Sequence, residues 1–219
     1  MRVAKVTFNK LPYLGAFALA TDEATIVADS FTKIPEREML EALHVKIVRA
    51  NVDHSPLVGI LAAGNSKGVV IPELVGGSEG DLQEKLPQEV VSIPCKYTAL
   101  GNLILANDYG ALVSPDLNDG VVKMLKETLG VPIRKGTIAG LKNVGGAGVA
   151  TNKGALLHPD ASEQEIEVAE DVLGVPADVG TALGGIKYLG VCMVANSHGA
   201  LVGETTTGAE LGRIERTLG

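Results

Sequence analysis

Few side chains in this 219-residue sequence are able to do covalent chemistry. The two cysteines are Cys95 and Cys192, and a thiol acts as a nucleophile only where a base or a positive field lowers its pKa. Neither cysteine has a histidine near it in the sequence. Because the fold decides which groups meet in space, a cysteine-dependent enzyme stays open as an alternative at this point.

The histidines and the glycine-rich segment give no stronger signal for catalysis. Asp53, His54 and Ser55 are the residue types of a catalytic triad, but a triad requires residues that converge in space. A Gly-Gly-Ala-Gly segment at residues 145–148 lacks the Gly-Lys-Ser/Thr of a phosphate loop. The chain has four histidines, His44, His54, His158 and His198. None of them shows the paired spacing of metal ligands. We expect no metal, no cofactor and no enzymatic activity.

Composition narrows the class of protein further. Hydrophobic residues make up 46% of the chain and its mean hydropathy is +0.23, which is typical of a globular protein. A net charge of −7, with 3% aromatic residues and no tryptophan, is unlike a protein that holds nucleic acid alone. No apolar run approaches the roughly 20 residues of a membrane span. With two cysteines and no signal peptide, we expect a cytoplasmic protein.

A phrase that recurs five times, about every 44 residues, organises the sequence. Small residues lead into a turn, and a short apolar run follows, which is typical of a β-hairpin. The copies occupy residues 59–71, 101–113, 145–157 and 190–202, with a weaker first copy at 15–27. Asparagine and glycine tolerate positive φ, so the turns are interpreted as tight hairpin turns. Their asparagines are Asn65, Asn107, Asn152 and Asn196.

A helix is predicted after each hairpin. Ser162 with Glu165, and Thr207 with Glu210, have capping-box spacing, and Ser78 has a weaker version of it. Leucines recur near the predicted helix ends, where glycines at 130 and 174 serve as C-terminal caps. These leucines are Leu43, Leu86, Leu129, Leu173 and Leu218. A third strand then completes each unit, predicted at residues 45–52, 90–95, 133–139 and 177–183.

The fifth unit ends with its helix and has no third strand, while residues 2–8 have strand character but no unit of their own. The economical solution is that residues 2–8 supply the missing strand. The predicted fold is therefore α/β, a five-fold pseudo-symmetric ring of ββαβ units closed by the N-terminal strand, with helices outside and first strands lining the axis. It forms one domain. Its repeats are residues 10–53, 54–97, 98–141, 142–186, and 187–219 completed by 1–9.

The phrase around Asn107-Asp108-Tyr109, together with the second-unit motif at residues 64–72, resembles the translation initiation factor 6 family. The resemblance covers the whole chain and implies the pentein fold, a five-fold α/β ring. The end at Gly219, without a C-terminal tail, points to the archaeal branch. The resemblance also implies binding to the large ribosomal subunit near the sarcin–ricin loop, prevention of small-subunit joining, and a part in large-subunit maturation.

An acidic chain favours contact mainly with basic ribosomal proteins and allows only limited contact with ribosomal RNA. We expect a monomer that stays off membranes. Equivalent turns of a five-fold ring gather at one end of the axis, and residues of these turns are the candidates for contact with the ribosome, while the sequence leaves open which face of the ring binds. These candidates are Asn65, Lys67, Asn107, Asp108, Tyr109, Asn152, Lys153, Asn196 and His198.

Two other functions stay open from the sequence alone. Guanidine-modifying enzymes share the pentein fold that the resemblance implies, but they need a nucleophilic cysteine with histidine and carboxylates in the central cavity. A ring without a ribosomal role is the other alternative. Co-purification with large ribosomal subunits would support the ribosomal function over a ring without a ribosomal role. Turnover of guanidine substrates would support the enzyme.

Overall fold

The structure is a computed structural model that describes residues 1–74 and 77–219, and within them the chain forms ten helices and fifteen strands. The N-terminal strand is β1 (Arg2–Val6). The first unit contains α1 (Leu14–Phe17), β2 (Ala18–Ala20), β3 (Ala24–Val27), α2 (Glu36–Leu43) and β4 (Lys46–Arg49). The second contains α3 (Val58–Leu61), β5 (Ala63–Gly64), β6 (Gly68–Pro72), α4 (Ser78–Lys85) and β7 (Glu89–Ile93).

The remaining units follow the same order of elements. The third contains α5 (Leu100–Leu103), β8 (Ile104–Ala106), β9 (Ala111–Val113), α6 (Asp119–Leu129) and β10 (Ile133–Lys135). The fourth contains α7 (Val144–Ala147), β11 (Gly148–Ala150), β12 (Ala155–Leu157), α8 (Glu163–Leu173) and β13 (Ala177–Val179). The fifth contains α9 (Leu189–Cys192), β14 (Met193–Ala195), β15 (Gly199–Gly203) and α10 (Gly208–Leu218). The molecule is thus a mixed α/β protein with a repeated ββαβ arrangement.

Each unit carries one three-stranded sheet among the described residues. A hairpin supplies two antiparallel strands, and the strand after the long helix pairs in parallel with the second of them, as β13 pairs with β12. In the fifth sheet β1 takes that place, with Arg2 opposite Gly199. This pairing agrees with the prediction that the N-terminal segment supplies the missing third strand.

The core lies between the long helices and the sheets, and it crosses unit boundaries, since α6, for example, packs on β10 of its own unit and on β6 of the preceding one. The recurring leucines are all buried there, which explains their spacing. Four of them end a long helix, and Leu86 directly follows α4. Gly130 and Gly174 adopt left-handed φ values of 61° and 65° as C-terminal caps, as predicted.

Helix capping differs between the units. Ser162 and Thr207 form the predicted capping boxes of α8 and α10. The prediction for Ser78 is wrong, because Gly77 is the N-cap of α4 and makes no side-chain hydrogen bond. The Ser78 hydroxyl instead accepts a hydrogen bond from the backbone N–H of Asp53.

Several strands are shorter than predicted. One-turn helices occupy the first part of each predicted first strand, so that Cys192 ends α9 and does not lie in a strand. The third strands also end early, since β10 stops at Lys135 and residues 138–141 form a turn with left-handed φ at Ala139 and Gly140. Sequence pattern alone did not separate these short elements from continuous strands.

The one-turn helices pack against one another through glycine. Each has a glycine whose Cα lies so close to a carbonyl oxygen of the preceding unit that a Cβ would clash. The contacts are Gly59 on Gly15, Gly101 on Gly59, Gly145 on Gly101, Gly190 on Gly145, and Gly15 on Gly190. They pass from unit to unit and return from the fifth unit to the first. The five first strands line one cavity of about 100 Å³.

Candidate binding face at the five turns

The five hairpin turns lie around one small pocket, to which every unit contributes. We call their residues the turn face and number the positions within each turn from one to three. The turn face comprises residues 21–23, 65–67, 107–109, 151–153 and 196–198. The three positions differ consistently in burial: the first is buried, the second is buried or half-buried, and the third is exposed. Each position therefore has its own role.

The first position builds the turn. The Asn107 Oδ1 atom accepts hydrogen bonds from the backbone N–H groups of Tyr109 and Gly110, both at 3.0 Å. Such a side-chain bond replaces a tight turn with positive φ, and the turn glycines of the described residues do not adopt positive φ. Glycine is required at position 110 for another reason. Its Cα lies against the Val172 carbonyl of α8, the long helix of the next unit, where a Cβ would clash.

The same side chain also ties each unit to the next. The Asn107 Nδ2 atom donates to the carbonyl oxygens of Thr151, at 3.0 Å, and Leu173, at 2.8 Å. Leu173 is the last residue of α8, so a buried bond satisfies a helix-terminal carbonyl that would otherwise lack a partner. Asn65 makes the equivalent bonds to the third unit, and Asn196 makes them to the first.

Threonine occupies the first position in two units. The Thr151 hydroxyl donates to the Leu218 carbonyl at 3.1 Å, and Thr21 accepts from the Gln88 side chain at 2.6 Å. The sequence interpretation grouped Asn152 with Asn107, but Asn152 lies at the second position. Thr151 is the true equivalent of Asn107, which is consistent with its place 44 residues further along.

Second-position side chains form a hydrogen-bonded chain across the pocket. The Asn152 Nδ2 atom donates to Asp108 Oδ2 at 2.6 Å and to Asp22 Oδ2 at 2.9 Å. Asp108 accepts from the backbone N–H and hydroxyl of Ser66, both at 2.8 Å, and Asp22 accepts from the Ser197 N–H at 2.7 Å. These bonds connect all five turns and fix their relative positions.

Third-position side chains are exposed, and three of them lie beside the C-terminal end of the next unit's long helix. The five third-position residues are Glu23, Lys67, Tyr109, Lys153 and His198. The Lys67 Nζ atom donates to the Gly130 carbonyl at 2.8 Å, which places a cation at the negative end of α6. Tyr109 lies beside Gly174, and the His198 ring centroid is 6.0 Å from that of His44. A mixed, exposed set on a rigid base is suited to recognition.

Comparison with known proteins decides the family. The model of the eIF-6 family matches residues 3–217. The chain belongs to the eIF-6 family. It is 47% identical to translation initiation factor 6 from Pyrococcus furiosus, covering 100% of this chain and 99% of that protein. It is 42% identical to translation initiation factor 6 from Methanosarcina mazei over 94% of this chain and 93% of the relative. Both relatives are archaeal.

Within this family member, the nine predicted binding residues do not share one environment. Lys67, Tyr109, Lys153 and His198 are exposed, whereas Asp108 and Asn152 are half-buried. Asn65, Asn107 and Asn196 are buried and fully used in internal hydrogen bonds. The sequence interpretation did not include Thr21, Asp22, Ser66, Thr151, Ser197 or Gln88. Strict alignment of the repeats indicates all of these except Gln88.

Cys192 and the Asp53-His54-Ser55 segment are the residues that bear most on the enzyme alternative. Burial, followed by the nearby Glu210 carboxylate, raises the pKa of Cys192 to about 12, so its thiol stays protonated at neutral pH. Asp53 and His54 both have left-handed φ in a tight turn, which closes with a hydrogen bond between Ser55 and Val52. Within residues 1–74 and 77–219, no three His, Cys, Asp or Glu side chains are placed to hold a metal.

The glycine-rich segment at residues 145–148 has a packing role. Gly145 belongs to α7 and lies against the Gly101 carbonyl, and Gly148 begins β11. Nothing in this segment is a loop that could surround a phosphate. No helix in the described part of the chain is long and apolar enough to span a membrane.

Proposed function

We propose that this protein acts in translation initiation by binding the large ribosomal subunit through its turn face and keeping the small subunit away. The observation that carries the proposal is family membership over residues 3–217, with relatives named translation initiation factor 6. Steric exclusion needs a rigid body and a stable contact but no chemistry. A part in large-subunit maturation and a cytoplasmic location belong to the same proposal.

We infer further that the five units close into one ring-shaped domain of the pentein class. Two features support this. The glycine contacts return from α9 to α1, and β1 completes the sheet of the fifth unit. Unit boundaries are those proposed from the sequence. Closure packs the first unit against the fifth, and it gives the turn face a fixed geometry.

The division of labour among turn positions indicates how the face would bind. Buried Asn65, Asn107 and Asn196 fix the turns, and the exposed third-position residues meet the partner. Little conformational entropy is lost when such a preorganised surface binds. A stable complex needs about 800 Å² of buried surface on each partner.

The charges of the turn face favour a protein partner. Asp22, Asp108 and Glu23 lie among Lys67 and Lys153, so the face is not the continuous basic surface that a phosphate backbone selects. Ribosomal proteins near the sarcin–ricin loop are the proposed contacts, with limited contact to ribosomal RNA. A monomer is sufficient for this mode of binding.

Co-sedimentation with isolated ribosomal subunits on a sucrose gradient tests the proposal. The wild-type protein is expected to migrate with large subunits alone and to lower the yield of joined ribosomes when small subunits are added. The variant Tyr109→Ala with Lys153→Glu is expected to lose at least tenfold in affinity, about 1.4 kcal/mol. Both residues are exposed, in neighbouring units, so the fold is expected to persist.

A matched control has the same two changes at the opposite end of the molecule, Tyr13→Ala with Lys10→Glu. This variant is expected to bind large subunits like the wild type. Loss of binding in the control but not in the turn-face variant would place the ribosome contact near Tyr13 and Lys10 and would contradict the proposed turn-face contact. A wild-type chain that stays at the top of the gradient would reject the ribosomal function altogether.

A further inference from the structure

The end of the molecule opposite the turn face carries a second distinctive surface. It is formed by the loops that precede the five one-turn helices, and we call it the loop end. The loops are residues 9–13, 53–57, 95–99, 139–143 and 183–188. A first strand separates each loop from the turn of the same unit.

Five of the seven large apolar side chains that are exposed in the described structure lie in these loops, with 39–47% of their surface accessible. We call them the apolar arc. They are Leu11, Tyr13, Leu57, Ile186 and Tyr188. Single exposed apolar residues are ordinary, but five at equivalent loop positions indicate a binding surface.

The apolar arc spans three neighbouring units. Its members belong to the fifth, first and second units, and α1 packs against both α9 and α3 through their glycines. Pro12 of the first loop and Leu183 of the fifth both lie against Gly203, which brings these two loops close together. The loops of the third and fourth units contribute no member of the arc.

The loop end carries both signs of charge, because the carboxylates of Asp116, Asp160, Glu165 and Glu210 contact the loops of the fourth and fifth units. Its five loops contain four lysines and one aspartate, Asp53. The lysines are Lys10, Lys96, Lys142 and Lys187. Lys142 and Lys187 pair with aspartates of neighbouring loops at 2.8 and 2.7 Å. Lys10 has no ion pair within residues 1–74 and 77–219.

A groove next to Leu11 and Tyr13, in the first unit, is where the positive charge is in excess. Lys5, Lys10 and Lys33 line it, facing Glu38 and Glu204, in a volume of about 360 Å³. Neither Lys5 nor Lys33 has an ion pair within the described residues. Three lysines with two glutamates leave a positive excess beside the apolar arc, so an anionic partner is favoured there.

We propose that the loop end docks a short acidic protein segment whose aromatic or aliphatic side chains cover the apolar arc, while its carboxylates meet Lys5, Lys10 and Lys33. Tyrosines with aliphatic neighbours and a charged rim are the usual composition of a protein-binding centre. Three of the five members of the apolar arc, Leu11, Leu57 and Ile186, are aliphatic and have no ring on which a nucleic-acid base could stack, and the groove beside them contains two glutamates. This docking is independent of the proposed ribosomal function.

Selection from a displayed library of random 12-residue peptides tests the proposal without ribosomes. The wild-type protein is the bait, and Tyr13→Ser with Tyr188→Ser is the counter-selection bait. Selected peptides are expected to combine several Asp or Glu with aromatic or aliphatic residues. Their affinity is expected to fall at least tenfold in the counter-selection variant and in Lys10→Glu with Lys33→Glu.

The matched control is Tyr109→Ser, which removes an equally exposed tyrosine from the turn face and is expected to leave peptide binding unchanged. Melting temperatures of all variants verify folding. Peptides that are basic, or that bind Tyr109→Ser and the loop-end variants alike, would overturn the proposal. Tighter binding of a 20-nucleotide single-stranded RNA, lost in the same variants, would assign the surface to nucleic acid. Wild-type dimers that dissociate in the loop-end variant would assign it to a second copy.

Discussion

Asn107 is recognisable in the sequence as part of a motif, but its side chain is directed inward. Its amide accepts two bonds from its own turn and donates two to the fourth unit. The neighbouring Tyr109 is the exposed residue. A motif residue with a buried, satisfied side chain affects binding by holding its neighbours in place.

We predict that Asn107→Asp lowers the free energy of unfolding by about 3 kcal/mol, because a carboxylate would face two carbonyl oxygens in a buried site. Asn107→Thr is expected to cost only about 1 kcal/mol, since Thr151 fills the equivalent position. Urea denaturation measures both values.

The control for this prediction is Asn143→Asp. Asn143 is exposed and makes no side-chain cap to α7, so the change is expected to alter stability by less than about 0.5 kcal/mol. Equal stability of Asn107→Asp and Asn143→Asp would mean that the Asn107 amide does not hold the units together.

The sequence predicted that the turns lie together, but it did not predict which of their side chains are buried and which are exposed. The repeat places all turns in equivalent positions, and the asparagines mark four of them. The acceptors of the Asn107 amide lie at Thr151 and Leu173, in the next unit, and local sequence does not indicate such contacts. The burial of the turn asparagines is therefore visible only in the structure.

Among the elements, the capping boxes of α8 and α10 do more than begin a helix. The Glu165 carboxylate accepts hydrogen bonds from Ser162, from the Thr137 hydroxyl and from the N–H groups of Ala139 and Gly140. Glu210 makes equivalent bonds in the fifth unit. Each glutamate thus ties its helix to one loop of the loop end.

These bonds predict acid sensitivity. Burial would raise the pKa of Glu165 and Glu210, but the donated hydrogen bonds outweigh it and lower both pKa values from 4.5 to about 2. A carboxyl group with a lowered folded-state pKa stabilises the fold above its unfolded pKa and loses that stabilisation as the pH falls from about 4.5 to 2. The melting temperature is expected to fall over that range.

The double variant Glu165→Gln with Glu210→Gln is expected to lose about 1–2 kcal/mol per site at pH 7 and to show a flatter decline in acid. Glu167→Gln, an exposed residue of α8, serves as the control. Thermal unfolding from pH 7 to pH 2 gives the comparison. Parallel melting curves for the double variant and the wild type would show that these carboxylates do not carry the pH dependence.

We predict that amide hydrogens of α4 exchange with solvent faster than those of α6. Gly77 caps α4 without a side chain and Leu86 leaves it in an extended conformation, whereas α6 has the Asn118 side-chain cap and left-handed Gly130. A helix with poorly satisfied ends frays at lower cost. Hydrogen exchange followed by mass spectrometry measures this, and equal protection of the two helices would contradict it.

At the scale of the whole molecule, the series of glycine contacts between the one-turn helices is the most demanding feature. Gly101 lies against the Gly59 carbonyl, and a Cβ at position 101 would overlap it. The neighbouring atoms are backbone atoms of Gly59 and Ala62, and backbone cannot move aside as a flexible side chain could. The periodicity of these glycines is visible in the sequence, whereas the contacts that require them are not.

We predict that Gly101→Ala costs about 3 kcal/mol or more, because the overlap is with backbone. Gly212→Ala is the matched control, since Gly212 lies in α10 with open space around its Cα. That change is expected to stabilise the protein by about 0.5–1 kcal/mol through helix propensity. Differential scanning calorimetry compares the two, and a tolerated Gly101→Ala would show that the one-turn helices have room to separate.

The pairing of β1 with β15 also has a consequence in time. Arg2 is synthesised 197 residues before its partner Gly199. At about 5–20 residues per second, roughly 10–40 s pass between them on a translating ribosome. During that interval the first strand of the nascent chain has no partner within its own sheet, so whatever shields it must come from outside the finished fold.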